Sequence, residues 1–164
     1  MTEFLAPALD GADFSDRVEA NGLELAYEQF GRDADPALIL IMGLGTQLTG
    51  WPDAFCRALA DTGLRVIRFD NRDIGLSSKL SAGGRYDGAR TAFLKSLLGR
   101  RIRTAYTLDE MVADTVGLLD GLGIERAHLV GASMGGMIAQ LTTARHPERV
   151  ITLTSIMSTS GARG

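Results

Sequence analysis

The sequence predicts an α/β fold: a mostly parallel sheet, opened by an antiparallel hairpin and flanked by helices. Three observations predict it. Short apolar runs alternate with helical stretches of about a dozen residues, the pattern of parallel strands joined by right-handed crossovers. Asn21-Gly22 separates two strand-like segments, and this dipeptide favours the positive-φ backbone of a tight hairpin turn. Ala37 to Met42 is uninterruptedly apolar, as expected of a central strand covered on both faces.

The elements follow in order. Residues 1–16 carry Asp10, Asp13 and Asp16 among small residues without periodicity and read as a disordered arm, leaving 17–164 as the folded portion. Arg17 to Ala20 and Leu23 to Phe30 form the hairpin, and Asp33-Ala34-Asp35-Pro36 turns the chain into the apolar strand. Pro52 suits the first turn of a helix in which Phe55, Ala58 and Leu59 recur at helical spacing, with Gly63 as its C-terminal cap. Arg65 to Phe69 is a short strand ending at Asp70. Leu108, Met111, Val112, Thr115, Leu119 and Leu122 form a helical stripe, and Thr107 with Glu110 has the spacing of a capping box. Ala127 to Val130 is a strand, Met134 to Arg145 a helix stopped at His146-Pro147, and Val150 to Met157 a final strand.

Composition narrows the function. The chain has 164 residues, 45% hydrophobic and 23% charged, the size of one globular domain. A formal net charge of −3 gives no general attraction to nucleic acid or an anionic membrane. Basic residues do gather between Lys79 and Tyr106 (Arg85, Arg90, Lys95, Arg100, Arg101, Arg103 against Asp87). There Phe93, Leu94, Leu97 and Leu98 supply the apolar side of a solvated helix, so that reading is favoured over a phosphate or nucleic-acid patch. Cys56 is the one cysteine, which excludes an internal disulfide and a cysteine-based zinc cluster and makes it a small packing residue. The N-terminus has neither the basic start nor the apolar run of a signal peptide, and no run is long enough to span a bilayer, so the expected location is cytoplasmic.

The chemistry concentrates in Leu129-Val130-Gly131-Ala132-Ser133-Met134-Gly135-Gly136, a strand passing through G-x-S-x-G into a helix. A serine hydroxyl is a poor nucleophile unless it is held exposed beside a base. A sharp strand-to-helix turn holds it so, with small residues two positions to either side permitting the tight backbone. The alternative is that the glycines only shape a loop and Ser133 caps the helix. Met42-Gly43-Leu44-Gly45-Thr46-Gln47 follows the central strand, a turn able to aim a backbone N–H into the same site. Acyl transfer develops an oxyanion that needs two such donors, and the amides of Leu44 and Met134 are the natural pair.

With these residues the chain resembles the α/β-hydrolase family from about Val18 to Ser158. Three motifs carry the likeness: Gly43-Leu44-Gly45; Phe69-Asp70-Asn71-Arg72-Asp73-Ile74-Gly75-Leu76-Ser77, similar to the family's D-x-R-G-x-G-x-S segment; and the serine turn. Ile41-Met42-Gly43 with Trp51-Pro52 is most similar to the serine-esterase branch that includes aclacinomycin methylesterase. The resemblance implies Ser133 as catalytic nucleophile, Leu44 and Met134 N–H as the oxyanion hole, and Asp70 and Arg72 as braces of their turn. It implies a small-molecule ester or acyl substrate, an acyl-serine intermediate, and neither metal nor cofactor. Many relatives have His-Gly where this chain has Met42-Gly43, a change that spares the backbone donor.

In this family the triad acid and histidine follow the serine in chain order. Here the only later histidine is His146, about 18 Å away at the far end of the helix that the serine begins, and no Asp or Glu follows Glu148. The resemblance therefore implies about six strands of an eight-stranded sheet, without cap, last two strands, acid or histidine, and a chain nearly inactive alone. A fragment, a split protein completed by another chain, or a silent binding module would each look this way. Val150 to Met157 would be an exposed apolar edge open to association. Dinucleotide binding at Gly43-Leu44-Gly45 with Asp70 is disfavoured, because Leu48 stands where the third glycine of G-x-G-x-x-G belongs.

Overall fold

The computed structural model describes residues 11–80 and 105–160. Most of the arm and of the basic segment, with Phe93, Leu94, Leu97 and Leu98, lies outside the described residues. Six strands form one sheet in the spatial order β1-β2-β4-β3-β5-β6: β1 Phe14–Ala20, β2 Leu23–Phe30, β3 Ala37–Ile41, β4 Arg65–Phe69, β5 Ala127–Ala132 and β6 Val150–Ile156. β1 and β2 pair antiparallel around Asn21 (φ 53°) and Gly22 (φ 74°), and β2 is antiparallel to β4. β4, β3, β5 and β6 are mutually parallel.

The hairpin starts earlier than its apolar pattern suggests, which corrects the arm boundary. Phe14, Ser15 and Asp16 pair with Gln29, Glu28 and Tyr27, and the Phe14 ring packs on that of Tyr27, 6.0 Å between centroids. Ser15 and Asp16 disguise the strand because β1 is a sheet edge with a solvated face.

Among the described residues three α-helices cover the sheet: α1 Asp53–Ala60, α2 Leu108–Gly121 and α3 Met134–Arg145. Pro52 precedes α1 as its N-cap instead of entering the first turn, and Gly63 (φ 86°) follows it. Thr107 and Glu110 form the reciprocal capping box at α2. The two-residue alternation of the strands separates the cores. Ile39, Ile41, Ile67, Phe69 and Leu129 lie with Met111, Leu118, Leu119 and Ile138 of α2 and α3. Leu38, Leu40, Val66 and Ala132 lie with Trp51 and Cys56 on the α1 face. Cys56 is fully buried, and that burial pushes its thiol up to about 11, the condition of an inert packing residue.

Register positions the site. Ile41 lies opposite Gly131 and Ala132 opposite Ile156, while Leu40 lies opposite Arg68, so β3, β4, β5 and β6 finish at one end of the sheet. The turns after them, beginning at Met42, Asp70, Ser133 and Met157, therefore share one rim. No described helix is long and apolar enough to cross a membrane. β6 is the sheet's outer strand, and beyond Val150 all its residues are exposed.

Candidate active site

Ser133 occupies the junction of β5 and α3 with φ 55° and ψ −120°, a backbone conformation that side-chain-bearing residues rarely adopt. Its N–H donates to Ile156 O at 2.9 Å, tying the turn to the end of β6. Its side chain is exposed and makes no capping hydrogen bond to the helix, so the simple cap is not what this residue forms.

The flanking glycines are required by contact. A Cβ on Gly131 would lie 2.2 Å from Gly135 O, and one on Gly135 would lie 2.1 Å from Ile41 O. Both obstacles are backbone, so neither can move aside cheaply. The turn closes only because these positions lack side chains, which brings the start of α3 against the end of β3.

Gly43 completes the approach from the other side. A Cβ there would stand 3.1 Å from Ser133 Cβ and 3.5 Å from its Oγ, so the backbone preceding Leu44 lies directly against the serine. Leu44 is 64% exposed and Gly45 has φ 72°. At the opposite flank, Met134 is the first residue of α3, where helical N–H groups have no intrahelical partner and carry the positive end of the helix dipole. The structure thus brings Ser133, Leu44 and Met134 to one place.

The two histidines of the sequence are elsewhere. His128 lies near the start of β5, some five residues or roughly 16 Å of strand from Ser133, and its Nδ1 is 2.8 Å from Thr152 Oγ1. His146 ends α3, the helix that Ser133 begins, with its Nδ1 3.6 Å from Glu148 Oε1.

Asp70 and Arg72 are engaged within the fold. Asp70 is 2% exposed and accepts the N–H groups of Leu48 at 2.7 Å and Leu76 at 2.8 Å, which leaves it unlike a ribose-binding acid. Arg72 grips both carboxylate oxygens of Asp114 on α2, at 2.5 and 2.6 Å, and lies over the Tyr106 ring. Asn71, which sequence reasoning passed over, donates from Nδ2 to Met42 O at 2.9 Å. A depression of about 360 Å³ lined by Asp33, Asp35, Arg65, Glu125 and Arg126 is at the other end of the sheet and holds no serine, cysteine or histidine. Among the described residues no group of acids, histidines and cysteine is arranged to hold a metal ion.

A mixed sheet in which the parallel strand β5, next to the central β3, turns through a positive-φ serine into a helix defines the class, and the sequence agrees: the chain belongs to the α/β hydrolase fold family, whose profile matches residues 36–162. Among its relatives is rhodomycin D methylesterase DauP of Streptomyces sp. (strain C5), 38% identical over 140 residues, covering 85% of this chain and 41% of that protein. Epoxide hydrolase B of Mycobacterium tuberculosis (strain ATCC 25618 / H37Rv) is 30% identical over 129 residues, 79% of this chain and 30% of that one. The crystal structure of a membrane phospholipase A, described as a bacterial virulence factor, superposes with a TM-score of 0.73 at 30% identity, over 91% of this chain and 40% of the other. The chain thus spans about two fifths of the length of the methylesterase it matches.

Proposed function

We propose that these residues form the nucleophile half of a serine hydrolase acting on small carboxylic esters or related acyl compounds. The observation that carries this reading is Ser133 itself: a strained, exposed serine with no capping bond, backed by Gly43 and seated at a helix N-terminus. Ser133 Oγ attacks the acyl carbon, its proton passes to a base, and the alcohol leaves as the acyl-serine forms; water then releases the acid. The Leu44 and Met134 N–H groups stabilise the oxyanion of each tetrahedral intermediate. Neither histidine of this chain reaches Ser133, so the base is supplied from outside these 164 residues. The methylesterase relative supports an ester substrate; the chemistry invokes no metal or cofactor, and the acidic net charge argues against nucleic acid.

The test is labelling with an alkyl fluorophosphonate and mapping of the adduct by peptide mass spectrometry. Slow labelling confined to Ser133, absent in Ser133→Ala, is expected. Labelling elsewhere, or equal labelling of the Ala variant, contradicts the assignment, and a rate equal to that of an intact serine esterase contradicts the missing base.

A second reading, association through β6, has its own observation. Ile151 (42%), Leu153 (38%) and Ile156 (36%) are exposed on β6, which has a strand neighbour on one side alone among the described residues. Sedimentation velocity is expected to show concentration-dependent self-association that Leu153→Lys abolishes. A monomer at all concentrations contradicts it.

A further inference from the structure

Two consecutive residues at the end of β4 hold both ends of the turn that carries Leu44. Asn71 Nδ2 donates to Met42 O at 2.9 Å, at the start of that turn, and Asp70 Oδ1 accepts the Leu48 N–H at 2.7 Å, at its finish. Both side chains are buried, Asn71 4% and Asp70 2% exposed, so water does not readily replace either bond. The anchor is itself fixed. Asp70 Oδ2 accepts the Leu76 N–H at 2.8 Å, Asp70 O accepts Ser77 Oγ–H at 2.6 Å, and Ser77 Oγ accepts the Ala26 N–H of β2 at 2.9 Å. Gly75 makes room for this: a Cβ there would lie 1.8 Å from Asp70 Oδ2.

Between the two ties, the backbone bonds of Gly43 to Gln47 are the long Thr46 N–H to Gly43 O contact of 3.4 Å and, at the far end, the Gly50 N–H to Gln47 O bond of 2.9 Å. Two glycines in that span, one at φ 72°, permit many conformations. The direction of the Leu44 N–H is therefore held by the pair of end ties together with the packing of Gly43 against Ser133. We infer that Asp70 and Asn71 are positioning residues for the oxyanion turn, acting through Met42 O and Leu48 N–H without touching substrate. The inference rests on the acyl-transfer reading for its catalytic consequence, though not for its mechanical one.

Asn71→Ala and Asn71→Asp both remove the donor, and the second keeps the side-chain volume. In both variants the maximal phosphonylation rate of Ser133 is expected to fall about 100-fold, as for a 1 Å misplacement of a catalytic group. The fluorophosphonate dissociation constant should stay near that of the parent, while the melting temperature falls by a few degrees because Met42 O loses its buried donor, more in Asn71→Asp, where a carboxylate faces that carbonyl. Amide ¹⁵N relaxation supplies a readout without chemistry: order parameters for Gly43, Leu44 and Gly45 are expected to drop from about 0.85 to below about 0.6 in the variants, with β3 and α3 unchanged. An unchanged rate, or a turn as ordered as the parent's, overturns the clamp. If the parent chain does not label at all, the acyl-transfer reading fails instead, and the relaxation measurement decides the clamp alone.

Discussion

Replacing Ser133 by glycine is expected to abolish fluorophosphonate labelling and, at the same time, to stabilise the protein. The backbone at this position has φ 55° and ψ −120°. Holding a side-chain-bearing residue in so sparsely populated a region costs roughly 1–3 kcal/mol. Glycine removes the strain but loses about 0.5–1 kcal/mol to the greater freedom of its unfolded chain. The net gain of about 1 kcal/mol corresponds to a rise in Tm of roughly 2–4 °C for a domain of this size. Alanine keeps the Cβ, and with it the strain, so Ser133→Ala is expected to be equally silent but no more stable than the parent. The contrast between the two variants separates strain held for function from a side chain that merely packs. A glycine variant less stable than the alanine one would show that the turn is relaxed and that its geometry does not present a nucleophile.

The second large effect lies away from the site. Arg68 on β4 stands opposite Glu28 on β2 in the sheet register, and both are about 1% exposed or less. Arg68 Nε donates to Glu28 Oε2 at 2.7 Å, and the guanidinium also bonds Asp53 at the start of α1 and the Trp51 carbonyl. It rests over the Phe30 ring, 5.0 Å from the centroid. Removing one partner of such a buried pair strands the other charge, so Arg68→Met is expected to cost about 3–5 kcal/mol in urea unfolding at neutral pH. Exchanging Glu28 for Met as well should recover most of that loss.

The pH dependence carries a sign. Burial raises the Glu28 carboxyl above its ordinary value, against the lowering effect of its bond to Arg68. The folded state thus holds that proton more tightly than the unfolded chain. The contribution is largest below the ordinary carboxylate range and is lost as pH climbs through the folded value. Taking Arg68 away removes the lowering influence and drives the carboxyl higher still. The deficit of the Met variant is therefore expected to shrink in acid, where Glu28 carries its proton, and to be greatest at neutral pH. A deficit independent of pH would mean that Arg68 stabilises by packing on Phe30 and not by charge.

The features read correctly from sequence are those with a local signature. Thr107 and Glu110 announce α2 through a spacing of three residues, and Gly131 and Gly135 announce the serine turn because each contact they permit lies close in the chain or at a strand end. What escaped was long-range. Glu28 and Arg68 look like solvated positions until β2 and β4 are paired, for they are 40 residues apart. Asn71 meets Met42 across 29 residues and Asp70 meets Leu48 across 22, contacts that no periodicity encodes. The hairpin's early start at Phe14 was hidden by the polar residues of an edge strand. A crossover fold brings separate turns together at one rim, so the turn at Ser133 is legible in the sequence while the contacts that support it are not.

The most direct test of the account is a crystal structure of the chain after phosphonylation by the fluorophosphonate. A phosphonyl oxygen bound to Ser133 and lying within about 3 Å of both Leu44 N and Met134 N is the predicted result. A phosphonyl group on Ser133 whose oxygens point away from both amides, or a Ser133 side chain turned into the protein, would contradict it.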